Sequence, residues 1–154
     1  MTRQTSRPAA AGLTREERTE LLSRAGAADV VTLADRVLAG VGDDAVHLTR
    51  PPQVGIVVAQ VREPLAGHRF LFIDVLTTQA ELELDGHLGW AMRTGEDRRA
   101  ALAQAVCDAE AARGGPHARA VEDLALATRD RLADRRAEEW ERLVPTIVEF
   151  EEVP

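Results

Sequence analysis

The chain has 154 residues, and its 26 acidic and 19 basic side chains give a formal net charge of −7 at pH 7. This acidic balance gives no nucleic-acid footprint, and the absence of tyrosine with few other aromatic residues argues against a base-stacking platform. The length fits one domain, which we place at residues 13–154, after an N-terminal extension of residues 1–12 that we expect to be disordered.

Cysteine use and hydropathy predict a cytoplasmic protein with no membrane partner. Cys107 is the single cysteine, so no internal disulfide can form, and a packed small hydrophobe is its expected role. The apolar runs are too short to span a bilayer. Residues 1–12 lack the apolar core of a signal peptide.

Two helices joined by a short loop are predicted first, as a helical hairpin. Thr14 and Glu17 have the spacing of a capping box, and they open a helix that Gly26 ends. A second helix is predicted from residue 28 to residue 38, where apolar residues recur at helical spacing.

A meander of three to four antiparallel strands is predicted next. Residues 45–49 are predicted to form a short strand that Pro51 and Pro52 end. Residues 54–62 are predicted to form a second strand, because they are rich in β-branched residues. Residues 70–84 alternate as one long strand. One of its faces is mostly apolar, whereas the other begins apolar and ends acidic. This pattern predicts a first half buried on both faces and a second half with one face in water.

Asp85 and Gly86 predict a two-residue hairpin turn, because a type I′ turn needs positive φ at both central residues. Residues 87–92 would return antiparallel. Gly89 is then explained by close backbone packing rather than by a ligand-binding glycine motif. Because the connections between strands are too short for helical crossovers, the pairing is predicted to be antiparallel.

Two further helices and a short C-terminal strand complete an α+β fold. The first helix begins near residues 94–97, is rich in small residues and ends at residues 113–116. The second covers residues 117–143, and residues 146–150 alternate as a strand that can join a sheet edge. Trp140 stands in a charged run, which is unusual for a surface residue. Trp140, Ile147 and Phe150 are therefore the partner-interface candidates.

The sequence contains few residues in patterns that are typical of an active site. The histidines are scattered without metal-ligand spacing, and no phosphate-binding glycine loop, iron–sulfur cysteine set or nucleophile elbow occurs. We therefore assign no catalytic residue, metal or bound cofactor. Arg62 and Arg93 each end a strand and are candidates to contact a phosphate or phosphonate, the other reading being two ordinary surface arginines.

An independent enzyme using Asp74 and His87 is the weakest interpretation, because the hairpin turn places the two far apart. Asp74 is otherwise a solvent-facing edge or bulge residue. The residues favour a subunit of a larger assembly. The alternative is a non-enzymatic homodimeric binding module that uses the open sheet edge or the face bearing Arg62 for an unrelated ligand.

Residues 52–110 resemble PhnG, a subunit of the bacterial carbon–phosphorus lyase system. The resemblance rests on a strand from Gly55 to Arg62 and on the spacing of glycines, threonine and aspartate that follows it. Its remaining elements are Gly67-x-x-Phe70, Thr78-Gln79, Asp85-Gly86-x-x-Gly89, Gly95-x-Asp97, Ala100, Ala105, Asp108-Ala109 and the tail Val148-Glu149-Phe150.

This chain departs from the family pattern at several positions. The family has a glycine-rich turn at residues 63–67 and Leu-Gly-Glu near residues 72–74. It has arginine at the positions of Gln79 and Glu96. Two family arginines are therefore replaced here, which marks the chain as a divergent member.

The resemblance implies a function that the composition does not show. PhnG-like proteins act with PhnI-, PhnH- and PhnL-like subunits to replace the adenine of MgATP with a phosphonate. With methylphosphonate the product is ribose 1-methylphosphonate 5-triphosphate. They also belong to a core complex with a PhnJ-like radical enzyme that breaks the C–P bond. The resemblance thus implies MgATP as the substrate of the complex, nucleosidase chemistry in the PhnI-like partner, and no catalytic residue known for PhnG. Self-association is a further expectation.

Overall fold

The computed structural model describes residues 12–146, and it has the predicted α+β class. The chain enters through two helices, passes through a three-stranded sheet and ends in two longer helices. In chain order the elements are α1 (Arg15–Ser23), α2 (Ala27–Ala39), a 3-10 turn (Asp43–Ala45), β1 (Val46–Arg62), β2 (Arg69–Leu84), β3 (His87–Thr94), α3 (Arg98–Ala112), α4 (Ala118–Leu143) and a 3-10 turn (Val144–Thr146).

The three strands form an antiparallel meander in the order β1-β2-β3. The β2–β3 turn has φ of 48° at Asp85 and 75° at Gly86, so both central residues have the positive φ of a type I′ turn. Leu84 pairs with His87 directly beside the turn. The tight turn therefore sets the register of the β2–β3 ladder.

α3 is the central helix of the body. Ten of its residues are buried, because the sheet covers one side of the helix while α1, α2 and α4 pack around the others. Small side chains all round the helix allow these close approaches, as the sequence predicted. The buried hydrophobic core accordingly combines alanines of α3 with larger side chains of its neighbours, among them Leu22, Val30, Val37, Leu82, Leu84 and Val121.

The capping box that opens α1 is present. Thr14 Oγ1 accepts a hydrogen bond from the Glu17 amide at 3.2 Å, and the Thr14 amide donates to Glu17 Oε2 at 2.8 Å. These bonds satisfy backbone donors that the first helical turn leaves without partners. α1 ends at Ser23, and Gly26 is the N-cap of α2.

The prediction that Pro51 and Pro52 end a short strand was wrong. β1 runs without a break from Val46 to Arg62, so the sheet has three strands, the lower number of the predicted three to four. β1 is an edge strand, where a proline needs no N–H on the side that lacks a neighbour. The pairing shifts register around the two prolines instead of ending.

The prediction that the first half of β2 is buried on both faces was also wrong. Residues 69–74 are all exposed, whereas the second half alternates between buried and partly exposed residues as predicted. An apolar pattern indicates that a strand favours burial. It does not indicate whether the covering element belongs to the same chain or to a partner. In the described part of the chain no element covers this half of β2.

The disordered N-terminal extension, apart from Gly12, and the C-terminal strand, apart from Thr146, are predictions that fall outside residues 12–146. Within the described residues, no helix combines the length and the apolar character that crossing a membrane requires.

Candidate partner-binding surface

The most exposed apolar feature of the described structure is a two-stranded projection, which we call the arm (residues 54–76). Val54 pairs with Thr78 where the arm leaves the body, and Arg62 pairs with Arg69 at its tip. At the rise of an extended strand, this ladder is roughly 25–30 Å long.

Both faces of the arm carry exposed apolar side chains. Ile56 on β1 is 64% exposed. The consecutive β2 residues Leu71 and Phe72, whose side chains point to opposite faces, are 66% and 65% exposed. The rings of Phe70 and Phe72 meet edge to face with their centroids 6.5 Å apart. The other exposed apolar residues of the arm are Val57, Val58, Val61, Leu65, Ile73 and Leu76. Monomeric proteins seldom expose so continuous an apolar surface, which marks it as an interaction site.

The arm exists because β2 is much longer than the helix that covers it. The 16 residues of β2 extend over roughly 53 Å, whereas the 15 residues of α3 extend over only roughly 22 Å. In the body, Thr78, Ala80 and Leu82 are buried beneath α3. The same strand face continues into the arm as Leu76 and Phe72, which are exposed.

A compact loop closes the tip of the arm. The Glu63 amide donates to His68 O at 2.9 Å, and the Gly67 amide donates to Glu63 O at 3.0 Å. The Glu63 carboxylate accepts hydrogen bonds from the amides of Leu65 and Ala66. The tip is therefore held by its own hydrogen bonds while Leu65 remains 96% exposed.

The structure separates the two arginines that the sequence indicated as candidates to contact a phosphate or phosphonate. Arg62 is exposed at the tip, whereas Arg93 lies in the body opposite Thr78. The two positions are roughly 30 Å apart along β2, so one small anion cannot contact both.

Arg93 is engaged within the body. Its guanidinium donates to Leu22 O at 2.6 Å and to Ala25 O at 2.7 Å, with a longer bond to Gln104 Oε1 at 3.3 Å. Burial lowers the pKa of this guanidinium, although arginine stays protonated in proteins. Arg93 thus satisfies carbonyls at the C-terminal end of α1 and fixes that helix to the sheet and α3.

The C-terminal half of α4 is a second exposed surface. Every residue from Ala133 to Leu143 is exposed, and Trp140 is 60% exposed. Leu143 and Val144 add exposed apolar groups beside it. Trp140 is therefore accessible to a partner, and its docking role stays a prediction. The companion candidates Ile147 and Phe150 lie outside the described residues.

A groove of about 1030 Å³ lies between α1, β3 and α4. Its size suits a small ligand, but several of its charged groups already have partners. Arg15 pairs with Asp108 at 2.6 Å, and Arg24 pairs with Glu20 at 3.4 Å. Ion pairs within the protein therefore engage several of the charged groups that line the groove.

Asp108 organises the floor of that groove, and sequence reasoning missed it. Its carboxylate is 1% exposed and accepts hydrogen bonds from Arg15, from Thr19 Oγ1 at 3.3 Å and from the Trp90 amide at 3.1 Å. The hydrogen bond to Asp108 also raises the pKa of Arg15. The available signal was a lone aspartate on an alanine-rich helix, which needs cationic partners when it is buried.

A second buried acid on α3, Glu110, holds the turn that leads into α4. It accepts from Arg113 Nε at 2.7 Å and from the His117 amide at 2.6 Å. Gly115 lies so close to this carboxylate that any side chain there would overlap it. Glu110 thus fixes the direction of α4, and with it the position of Trp140.

Acid–base catalysis by the remaining candidates has no support in the geometry. Asp74 is exposed on the arm, and His87 is exposed beside the β2–β3 turn with Nδ1 2.9 Å from Asp85 O. They lie roughly 33 Å apart along β2. Among residues 12–146, no three His, Cys, Asp or Glu side chains are arranged to hold a metal ion.

Cys107 lies buried in α3, in line with the packed role predicted for it. Burial, with smaller contributions from Glu110 and Asp108, raises the pKa of the thiol to about 12. Because the thiolate is the reactive form, the folded protein holds this side chain in its unreactive state.

The positions of the two replaced family arginines differ in their surroundings. Gln79 lies in the middle of the sheet, paired with Gln53 of β1 and Met92 of β3, and is partly buried. Glu96 is exposed in the connection between β3 and α3.

Comparison with known proteins gives one family. The sequence model described as "Phosphonate metabolism protein PhnG" matches residues 13–153, which is nearly the whole chain. No curated protein matches the chain significantly.

Proposed function

The chain belongs to the PhnG family of phosphonate metabolism proteins, and from this premise we propose that it acts as a subunit of a carbon–phosphorus lyase complex. In that complex it assists transfer of a phosphonate onto the ribose C1 of MgATP. A phosphonate oxygen forms a bond to C1 while the bond from C1 to adenine breaks. Adenine leaves with the electron pair and takes up a proton. With methylphosphonate the product is ribose 1-methylphosphonate 5-triphosphate.

The exposed arm is the observation that carries this proposal. A two-stranded hairpin is marginally stable alone, and this one presents apolar side chains on both faces. Complete burial of one large apolar side chain contributes about 1.5–3 kcal/mol. Ile56, Leu71 and Phe72 alone thus offer a partner several kcal/mol of favourable burial.

The site geometry on this chain also leaves the transfer chemistry to a partner. Among residues 12–146 the thiol of Cys107 is buried with a raised pKa, no three His, Cys, Asp or Glu side chains are arranged to hold a metal ion, and Asp74 and His87 lie far apart. In the proposed assembly the PhnI-like subunit supplies the nucleosidase chemistry. PhnH-, PhnL- and PhnJ-like subunits complete the complex, MgATP is its substrate, and this chain binds no cofactor of its own. Such an assembly acts in the cytoplasm.

Co-purification followed by an activity assay tests the proposal. The chain is co-expressed with PhnI-, PhnH- and PhnL-like subunits, and adenine release from MgATP is followed by chromatography. We expect a stable complex whose adenine release depends on both methylphosphonate and this chain. Equal adenine release when this chain is omitted would contradict the proposal.

The two-sided exposure of the arm also favours a second candidate, a homodimeric binding module in which two copies cover each other's arms. Light scattering on the isolated chain separates the candidates. A dimer that persists at low concentration and does not bind the PhnI-like subunit supports the module. A chain that binds this subunit in preference to itself supports the complex.

A further inference from the structure

The tip of the arm places two arginines directly opposite each other. Arg62 is the last residue of β1 and Arg69 the first of β2, and the two are cross-strand partners. Like charges in directly opposite positions destabilise a hairpin. Both side chains are exposed, and among residues 12–146 neither has a carboxylate within ion-pair distance.

The tip segment, residues 62–69, contains two arginines and a single carboxylate, that of Glu63. The two oxygens of Glu63 accept hydrogen bonds from the amides of Leu65 and Ala66, and Glu63 forms no ion pair with either arginine. The tip therefore keeps an excess of positive charge in a chain whose net charge is −7. A hairpin that tolerates this repulsion is suited to binding an anion between the two guanidinium groups.

The number of donors favours a tetrahedral oxyanion over a carboxylate. One carboxylate has two oxygens, which match the fork of a single guanidinium. A phosphate or phosphonate group offers more oxygens and up to two negative charges, so it can accept hydrogen bonds from two guanidinium groups at once. The closed tip loop also holds the ends of the two strands together.

We propose that Arg62 and Arg69 form an oxyanion site that contacts a phosphate or phosphonate group of the substrate after the arm has docked on a partner subunit. The apolar arm supplies the docking surface, and its tip supplies the two charges. The assignment of the anion to substrate rests on the proposed function. The capacity of the tip to bind a phosphate or phosphonate group is independent of the proposed function.

The isolated full-length chain tests that capacity first. The arginine Nε–H resonances are followed by NMR at low ionic strength during titration with methylphosphonate, ATP and acetate. We expect the Arg62 and Arg69 signals to shift with methylphosphonate and ATP, and at least several-fold less with acetate at equal concentration. No shift, or an equal response to acetate, would overturn the proposal.

The reconstituted complex then tests where the anion comes from. Arg62→Gln/Arg69→Gln is compared with Arg36→Gln/Arg119→Gln, which removes two exposed helix arginines and changes the net charge equally. We expect the tip variant to assemble normally and to raise the KM for MgATP or methylphosphonate about ten-fold or more, with the control unchanged.

The outcomes separate the two proposals. Normal assembly with unchanged KM overturns the oxyanion site and leaves the subunit function intact. Failure of the tip variant to assemble shows that the arginines bind an acidic partner residue, which also overturns the site. If the wild-type complex releases no adenine in response to methylphosphonate, the proposed function fails. The assignment to substrate then fails with it, while the NMR titration still decides whether the tip binds oxyanions.

Discussion

The backbone of Gly89 on β3 lies directly against the carbonyl oxygen of Ala105 on α3. A Cβ at position 89 would overlap that oxygen and lie only 2.8 Å from Ala109 Cβ. The sheet and the central helix therefore meet at backbone distance, and this contact sets how closely α3 packs against β3.

Substitution of Gly89 by alanine is expected to destabilise the fold by about 1–3 kcal/mol or more, because rigid backbone must move to accept the methyl group. The matched control is Gly55→Ala on β1, where an added Cβ meets no atom within 4 Å. Urea unfolding of both variants measures the difference. Equal stabilities for the two variants would show that the contact at Gly89 is not tight.

The buried carboxylate of Asp108 is predicted to stabilise the packing of α1 on α3. Asp108→Asn removes the charge that pairs with Arg15 at 2.6 Å and keeps the size of the side chain. Hydrogen bonds to charged groups contribute about 1.5–3 kcal/mol, so we expect a loss of about 2 kcal/mol in the free energy of unfolding.

The control for Asp108 is Asp35, whose ion pair with Arg99 at 3.4 Å is exposed on both sides. Asp35→Asn is expected to change the free energy of unfolding by less than about 0.5 kcal/mol, because solvent screens such pairs. A loss at position 108 as small as that at position 35 would contradict the assigned role of Asp108.

Cys107 predicts a pH-dependent loss of stability. The folded thiol has a pKa of about 12 against 9.0 for an unperturbed thiol, so above pH 9 the unfolded chain loses the proton while the folded chain retains it. Cys107 therefore contributes a destabilisation that grows from pH 9 to pH 12. At pH 10 the expected size is on the order of 1 kcal/mol relative to pH 7.

Cys107→Ala removes the titrating group, so the stability difference between variant and wild type isolates its effect. Urea unfolding at pH 7 and pH 10 gives that difference at each pH. We expect it to shift in favour of the variant as pH rises. A difference that is the same at both values would mean that the folded thiol titrates like a free one.

The apolar arm is predicted to be dispensable for stability and required for assembly. Ile56→Glu/Phe72→Glu changes two exposed side chains, so we expect a change in the free energy of unfolding of no more than about 1 kcal/mol. Binding to the PhnI-like subunit, measured by calorimetry, should weaken at least about 100-fold. Leu88→Glu, a substitution at an exposed leucine outside the arm, serves as the control and should retain binding.

Sequence patterns predicted the elements whose burial depends on neighbours in the same chain. The alternation of Thr78, Ala80, Leu82 and Leu84 predicted a face that α3 buries. The glycine at position 86 predicted the turn. These features follow from local geometry, since strand period and positive φ depend on residues close in sequence.

The wrong predictions concern features whose place in the folded protein the sequence does not indicate. The apolar residues at the start of β2 predicted burial, yet no element within residues 12–146 packs over them. Pro51 and Pro52 predicted a strand end, because edge position is not visible in a sequence. The structural role of Asp108 was not predicted, since a helix that is buried on every side has no polar face to mark its charged residue.

Hydrogen–deuterium exchange of the arm, with and without the PhnI-like subunit, tests the central claim most directly. The outer amides of β1 have no neighbouring strand within the described residues, and the apolar faces of residues 54–76 are open. The account predicts marked slowing of exchange in this segment when the partner binds, with little change in α2. Complex formation with unchanged exchange across residues 54–76 would contradict the assignment of the arm as the docking surface.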